Sequence, residues 1–434
     1  MTRFQCLIAI WLCCTSTLIS RAAADTVVPL DDVTNSVVVR LSASSTSARV
    51  GTLQPGEHAE LMGSVPNWHH VKLAGGTLGF VSKRWTRVVA SSAPAPVAGQ
   101  TNYTIDVVDV GTGLAVLVRG PDFTLVYDGG SNDDLGRGSD NRFLAYIRSV
   151  APTLATIDQL VLSHPHRDHV ELLPDLFAAY QVRQVWDSGR INDICGYRAF
   201  ITAVHDEAGV QYHNALQGSG TQTFAFKATT CYGTALPARS VQLPLSSRID
   251  NLPVTLGQNA TMTILHADGA DYPSPNQNSL VVRLDLGNTR ILLMGDAEAG
   301  GRQNPSMQPT PDSIEGQLLA CCVADLMARV MIVGHHGSKT SSRRALLNAV
   351  NASFYIVSSG PTKYGTVTLP DHEVIDELMS RGQVFRTDVN DSACALNSAK
   401  IGADSDGKAG GCDNVQITIS DTDQIQVAMR HGHD

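Results

Sequence analysis

Charge is scarce in this chain. Asp, Glu, Lys and Arg make up 17% of its 434 residues, against about 25% in an ordinary soluble domain. That shortage excludes a disordered chain and a charge-laced coiled coil. The charge present leans acidic: 32 Lys and Arg against 41 Asp and Glu give a formal net charge of −9, so no basic stripe holds duplex DNA by charge alone. Beyond the N-terminal segment no apolar run approaches the roughly 18 residues of a membrane-crossing helix, and no stable membrane insertion is expected. No cysteine pair has the Cys-x-x-Cys spacing of a zinc or redox site. Internal repeats and long low-complexity tracts are also absent. By contrast, 37 Gly and 19 Pro break the chain into short elements, which excludes a long all-helical bundle. With 43% hydrophobic residues the chain can bury a sizeable core, divided between two or three domains.

The N-terminus carries Arg3, an apolar run from Leu7 to Cys14, and Ala22-Ala23-Ala24 before Asp25. This pattern predicts a secretory signal peptide over residues 1–24 and a secreted or periplasmic destination. Downstream of it stand Cys195, Cys231, Cys321, Cys322, Cys394 and Cys412, an even set that allows up to about three disulfides. Cys394 and Cys412 flank a Gly/Ala/Ser/Asp-rich excursion and are the expected pair. For the neighbours Cys321 and Cys322, free buried thiols stand as an equal alternative to disulfides, and the two are not expected to bond to each other, because adjacent residues do not easily do so.

Residues 25–90 alternate short β-type runs with turns, which suggests a small β-barrel. The order V-V-R-L-S, V-G-T-L-Q-P-G-E, W-H-H-V-K-L and G-F-V-S resembles a bacterial SH3-like domain. That resemblance implies a cell-wall ligand; the alternative is a spacer packed on the next domain. His69 and His70 lie on one of these strands and are read as non-metal residues. A Pro/Ala linker follows over residues 91–101. Across residues 102–434, strand-like runs such as Phe123 to Asp128, Gln159 to Ser163, Arg290 to Gly295 and Val330 to Gly334 alternate with helical patterns such as Val170 to Ala179 and His372 to Arg381. The alternation predicts a layered α/β fold with sheets covered by helices.

The strongest chemical signal is His164-Pro165-His166-Arg167-Asp168-His169, at a strand-to-helix turn. His164 and His166 project to one side of the turn and can share one metal ion, while Asp168 and His169 can reach a second. Imidazole and carboxylate together favour zinc, with manganese or iron as alternatives.

The motif is that of the metallo-β-lactamase superfamily, and other segments resemble the same family. Asp128 in V-Y-D-G-G resembles its first Asp, which supports a metal-binding histidine from behind. Asp296 in L-M-G-D-A-E resembles its bridging carboxylate. His335-His336 in G-H-H-G-S resembles its last histidine ligand; spacing favours His336, and either can fill the role. The family's third histidine is missing, and the corresponding segment reads S-P-N-Q-N-S-L-V-V-R-L, with Asn276 and Asn278 at that place. The first ion is then completed by His266 or water, and one-ion and two-ion sites both stay open.

Together with D-V-G-T-G-L-A, G-H-H-G-S-K-T-S-S and F-R-T-D, these segments resemble the hydrolase domain of ComEC-type competence DNA-uptake proteins, from about Thr104 to Val427. The resemblance implies a metallo-β-lactamase αββα sandwich behind the small barrel. It also implies a phosphodiesterase or nuclease, whose substrate is nucleic acid or another phosphodiester, with one or two Zn2+ ions, Mn2+ being an alternative. Catalysis would use a metal-bound hydroxide, with Asp168 orienting it, Asp296 linking the ions and Asp128 behind them. Ser338, Lys339 and Thr340, with Asn278, are candidate substrate-binding residues, and Lys339, Arg343, Arg344 and Arg386 are candidate sources of positive charge. Two other readings are a β-lactam or lactone hydrolase of the same superfamily and a non-catalytic cell-wall-binding protein.

Overall fold

The computed structural model describes residues 26–30, 33–65, 67–89, 101–133, 141–389 and 413–431. The expected signal peptide, residues 91–100 of the linker, and both Cys394 and Cys412 lie outside the described residues.

From residue 101 onward, two sheets stack face to face. The first has nine strands, in the order Ser247–Arg248, Gln211–Asn214, Gln181–Trp186, Thr156–Val161, Thr124–Gly129, Ala115–Arg119, Thr101–Val107, Asp413–Ser420 and Ile425–His431. The second has seven: Val254–Gly257, Ala260–His266, Val281–Leu286, Thr289–Leu293, Val330–Ile332, Phe354–Val357 and Gln383–Arg386. Strands at the centre are buried on both faces, and Thr124–Gly129 is buried at every position, as its unbroken Leu-Val-Tyr run requires. Between the sheets, Val116, Leu125 and Val161 of the first pack with Val282, Ile291 and Ile332 of the second.

Helices close both outer faces. On the first sheet, Tyr146 and Ile147 from Arg142–Val150, Leu176 from Pro174–Ala179, and Phe200, Ile201 and Val204 from Cys195–Asp206 share one core with Leu117, Val126 and Leu160. On the second, Leu318 from Ile314–Cys321, Leu347 from Arg344–Val350 and Ile375 from His372–Met379 cover Leu292, Met331 and Tyr355. The layers therefore run helix, sheet, sheet, helix, the αββα order expected. Each such aliphatic side chain contributes about 1.5–3 kcal/mol by leaving water.

The cysteines correct one expectation. Cys195 and Cys231 are bonded, with Cα atoms 5.6 Å apart, which ties the start of Cys195–Asp206 to the hairpin Thr229–Cys231 and Thr234–Leu236. Cys321 and Cys322 are bonded to each other. Helix Ile314–Cys321 ends there and a new short helix begins at Val323, so the backbone break at Cys322 lets neighbouring sulfurs meet.

Residues 26–89 form a separate seven-stranded antiparallel sheet, in the order Arg49–Leu53, Val37–Arg40, Leu78–Ser82, Trp68–Lys72, Ala59–Val65, Thr26–Pro29 and Thr86–Val89. Its own core is small: Val27, Val37, Val39, Leu53, Ala59, Val71 and Val81. It rests on the second helical layer. Phe80 enters the core that contains Met379 and Val384, and a Cβ on Gly63 would stand 2.9 Å from the Met379 sulfur. His69 and His70 are buried, and the His70 ring stacks on Phe80 with centroids 4.7 Å apart.

Candidate metal centre

Parallel neighbours in both sheets run in one direction and end on a common edge of the sandwich, where α/β folds place their sites. Thr124–Gly129 pairs parallel with Thr156–Val161, and Thr289–Leu293, Val330–Ile332 and Phe354–Val357 follow one another in parallel. Asp128, the His164 motif, Asp296, the His335-His336 pair and Ser358 sit at or just beyond the ends of these strands. Gly130 makes the first crossing possible: a Cβ there would lie 2.2 Å from the His169 backbone nitrogen.

Asp296 is the centre. His164 Nε2 lies 3.6 Å from its Oδ2 and His335 Nε2 lies 3.7 Å from the same oxygen. The other oxygen, Oδ1, is 3.1 Å from His169 Nε2 and 3.6 Å from His336 Nε2. His166 reaches in with Nδ1, 3.0 Å from His164 Nε2, and Asp168 Oδ2 is 3.6 Å from His336 Nε2. Two groups able to hold an ion result: His164, His166 and Asp296, and beside them Asp168, His169 and His336. His164 and His166 thus fall in one group and Asp168 and His169 in the other.

Four of the five imidazoles, those of His164, His169, His335 and His336, are oriented through the other nitrogen. His169 Nδ1 donates to Asp128 Oδ2 at 2.8 Å, and Asp128 is itself held by the Ser163 amide at 2.6 Å and the Ser163 hydroxyl at 2.7 Å. His164 Nδ1 is 3.0 Å from Ser163 Oγ, so one serine serves both. His336 Nδ1 donates to the Ser358 carbonyl at 2.8 Å. His335 Nδ1 is 2.6 Å from Thr340 Oγ1 and 3.2 Å from Glu298 Oε1. His335 and His336 both adopt left-handed backbone angles, φ 48° and 52°, and this rare conformation turns two adjacent rings toward one carboxylate. Left-handed geometry costs about 1–2 kcal/mol per non-glycine residue. The bonds from His335 N to Gly295 O and from Ser338 N to His335 O offset it.

The donors fit divalent cations. His169 Nε2, His336 Nε2 and Asp296 Oδ1 are buried and meet one another only in close pairs without a well-directed hydrogen bond, an arrangement that an ion between them would complete. Burial acts to raise the Asp296 carboxyl, but the surrounding His169, His335, His336 and His164 hold it well below the usual carboxylate range. Burial and the charge of His169 push His164 well below the ordinary imidazole value, which keeps it an electron-pair donor.

A profile of the metallo-beta-lactamase superfamily matches residues 108–360. The chain belongs to this superfamily. Among its relatives, "Recombination protein 2" of Haemophilus influenzae is 26% identical over 276 residues, covering 64% of this chain and 26% of that protein. "ComE operon protein 3" of Bacillus subtilis is 23% identical over 298 residues, covering 66% and 32% respectively. The chain thus spans about a quarter to a third of the length of these curated relatives. Among solved structures, the metallo-beta-lactamase fold protein YhfI from Bacillus subtilis aligns with a TM-score of 0.37 and 13% identity, over 66% of this chain and 97% of that one.

Several residues serve this metallo-β-lactamase site otherwise than expected. His266 stands outside both ligand groups, and its Nδ1 donates to the Ser279 carbonyl. Asn278 is fully buried and donates to the carbonyls of Asp268 and Ala270; it braces a loop instead of facing a substrate. The Ser338 hydroxyl is buried against Arg302 and Thr340, Thr340 carries His335, and Lys339 Nζ pairs with Glu373 at 2.8 Å. The four candidate cations do not converge: Arg344 pairs with Glu377, Arg386 with Asp388, and Arg343 is spent on the carbonyls of Gly301, Gln303 and Asn304.

Tyr364, from the two-residue strand Lys363–Tyr364, carries no warning in the sequence. Its hydroxyl donates to Asp168 Oδ2 at 2.5 Å, and Asn132 Nδ2 donates to the same oxygen at 3.1 Å. The phenol is partly exposed and stands at the rim of the second ligand group.

Proposed function

We propose that this superfamily hydrolase is an exported, metal-dependent phosphodiesterase acting on nucleic acid. The observation that carries the reading is the pair of ligand groups gathered around Asp296, whose donors would hold the divalent cations that phosphodiester hydrolysis uses. The names of the relatives, a recombination protein and a competence-operon protein, support nucleic acid as the substrate class. His164, His166 and Asp296 would hold one ion, and Asp168, His169 and His336 the other. When bound, such ions supply Lewis acidity toward water and the phosphoryl oxygens.

The chain's own residues do the positioning. Asp128 fixes the His169 ring with Nε2 inward, Ser163 fixes both Asp128 and His164, and the Ser358 carbonyl does the same for His336. Asp168, tethered by Tyr364 and Asn132, orients the attacking water. Lys339, Arg343, Arg344 and Arg386 are engaged elsewhere, so Tyr364 and partly exposed His166 are the side chains placed to meet the phosphate. The N-terminal sheet, in its SH3-like reading, would hold the enzyme to cell-wall material.

The test is an assay of full-length mature protein with Zn2+ and separately Mn2+ on single- and double-stranded DNA, RNA and a chromogenic phosphodiester, beside a His166→Ala/Asp168→Ala control. Metal-dependent cleavage absent from the control is the expected result. No cleavage with both ions bound overturns the phosphodiesterase reading and redirects it to β-lactam or lactone carbonyls. Retention on peptidoglycan sacculi in a sedimentation assay tests the wall reading.

A further inference from the structure

The first ligand group holds an unresolved asymmetry. The second group has His169, His336 and Asp168 around Asp296 Oδ1, whereas the first is left with His164 and His166 beside Asp296 Oδ2, because the segment expected to bring another histidine has Asn276 and Asn278. Asn278 spends its amide nitrogen on the carbonyls of Asp268 and Ala270, and an amide oxygen is a poorer ligand than an imidazole. His335, however, is adjacent: its Nε2 lies 3.7 Å from Asp296 Oδ2, the oxygen that His164 Nε2 meets at 3.6 Å, and its 3.3 Å contact with Asn276 Nδ2 is the one an ion would replace.

We infer that His335 is the remaining histidine ligand of the first ion, taking over a position the family fills from another segment, and that Glu298 is its positioning residue. The inference rests on the two-ion reading above. Because both His335 and His336 are left-handed, each ring reaches a different oxygen of Asp296, and one dipeptide serves both ions. The support behind His335 parallels that behind His169. As Asp128 accepts from His169 Nδ1, Glu298 Oε1 lies 3.2 Å from His335 Nδ1, with Thr340 Oγ1 sharing that nitrogen at 2.6 Å. Glu298 is itself held on both oxygens, Oε1 by Asn276 Nδ2 at 3.3 Å and Oε2 by Gln277 Nε2 at 3.2 Å. The N-Q-N segment therefore keeps a part in the site: it has given up a ligand and acquired the carboxylate that orients the replacement. An imidazole with a carboxylate on Nδ1 and Nε2 inward is the state a cation requires.

Chelator-stripped full-length protein titrated with Zn2+ by calorimetry, and with Co2+ by visible absorption, decides the matter without reference to turnover. Wild-type protein is expected to saturate at two ions. His335→Ala should take up one ion tightly while the other weakens at least 100-fold, and the Co2+ spectrum should keep the component belonging to the second group. His336→Ala should weaken the opposite component. Glu298→Ala should weaken the first ion by about 10–100-fold and leave the second unchanged, with circular dichroism showing an intact fold. His335→Ala protein that still binds two ions with wild-type affinity overturns the inference, as does wild-type protein that saturates at one, or an Asn276→Ala variant that loses the first ion where His335→Ala does not. Two ions bound as described with no phosphodiester turnover would instead defeat only the proposed substrate class.

Discussion

Asp296 shows how much a single side chain can organise when each of its oxygens faces a different set of imidazoles. The residues behind those imidazoles are as exposed to test as the ligands. Replacing Asp128 by Asn leaves its shape but removes the charge opposite His169, and metal affinity should fall about 10–100-fold while the fold persists; equilibrium dialysis against a chelator measures it. Tyr364→Phe removes one hydrogen bond to the Asp168 carboxylate. Such a bond to a charged group contributes about 1.5–3 kcal/mol, so kcat/KM should drop roughly 10–100-fold in steady-state kinetics on whichever phosphodiester proves active. The histidine motif and Asp296 were legible in the residues because their order and spacing are local. The joint role of His335 and His336 was not, since adjacent residues in a strand or helix point apart, and only the left-handed pair of φ angles brings both rings inward. Tyr364 had no readable sign: two residues of strand carry no periodicity.

At the level of elements, the bond between Cys195 and Cys231 fastens a helix to a hairpin across 36 residues. On the loop-closure account its removal by Cys195→Ser with Cys231→Ser should cost about 2–4 kcal/mol, read as a lower denaturant midpoint with an unchanged far-ultraviolet spectrum. The strand Trp68–Lys72 makes a different prediction. Burial, joined by the charge of Lys83 for His69, lowers His69 and His70 from 6.5 to about 4. The unfolded chain therefore takes up protons that the folded sheet refuses. Stability from this source is fully present above pH 6.5 and is lost as pH falls from about 6.5 toward 4. Denaturant midpoints across that range, followed by tryptophan fluorescence, should show the decline, and His69→Phe/His70→Phe should flatten it. The helix Cys195–Asp206 went unremarked in the sequence although Tyr197, Phe200, Ile201 and Val204 recur on one face. It opens without a side-chain cap, the local mark by which a helix start is usually noticed.

Across the whole molecule, the N-terminal sheet and the sandwich share apolar surface through Phe80 and Gly63, so they should unfold together. Gly63→Leu places a side chain against Met379, and calorimetry should then resolve two transitions where the natural protein shows one. The metal centre makes a second connection of this kind. Asp128 and the His164 motif come from one sheet, Asp296 and the His335-His336 pair from the other, and the faces between them are joined by apolar packing and a few directed bonds, such as Tyr127 to the Leu280 carbonyl and Ser358 to the Gly113 carbonyl. Ions held there would act as clamps across the sandwich, and mass action makes their grip adjustable: a hundredfold excess of free ion over its dissociation constant adds about 2.7 kcal/mol of stability. For the exported enzyme proposed above, in surroundings where divalent ions vary and proteases sample every opening, metal supply would then govern how long the protein survives as well as how fast it works.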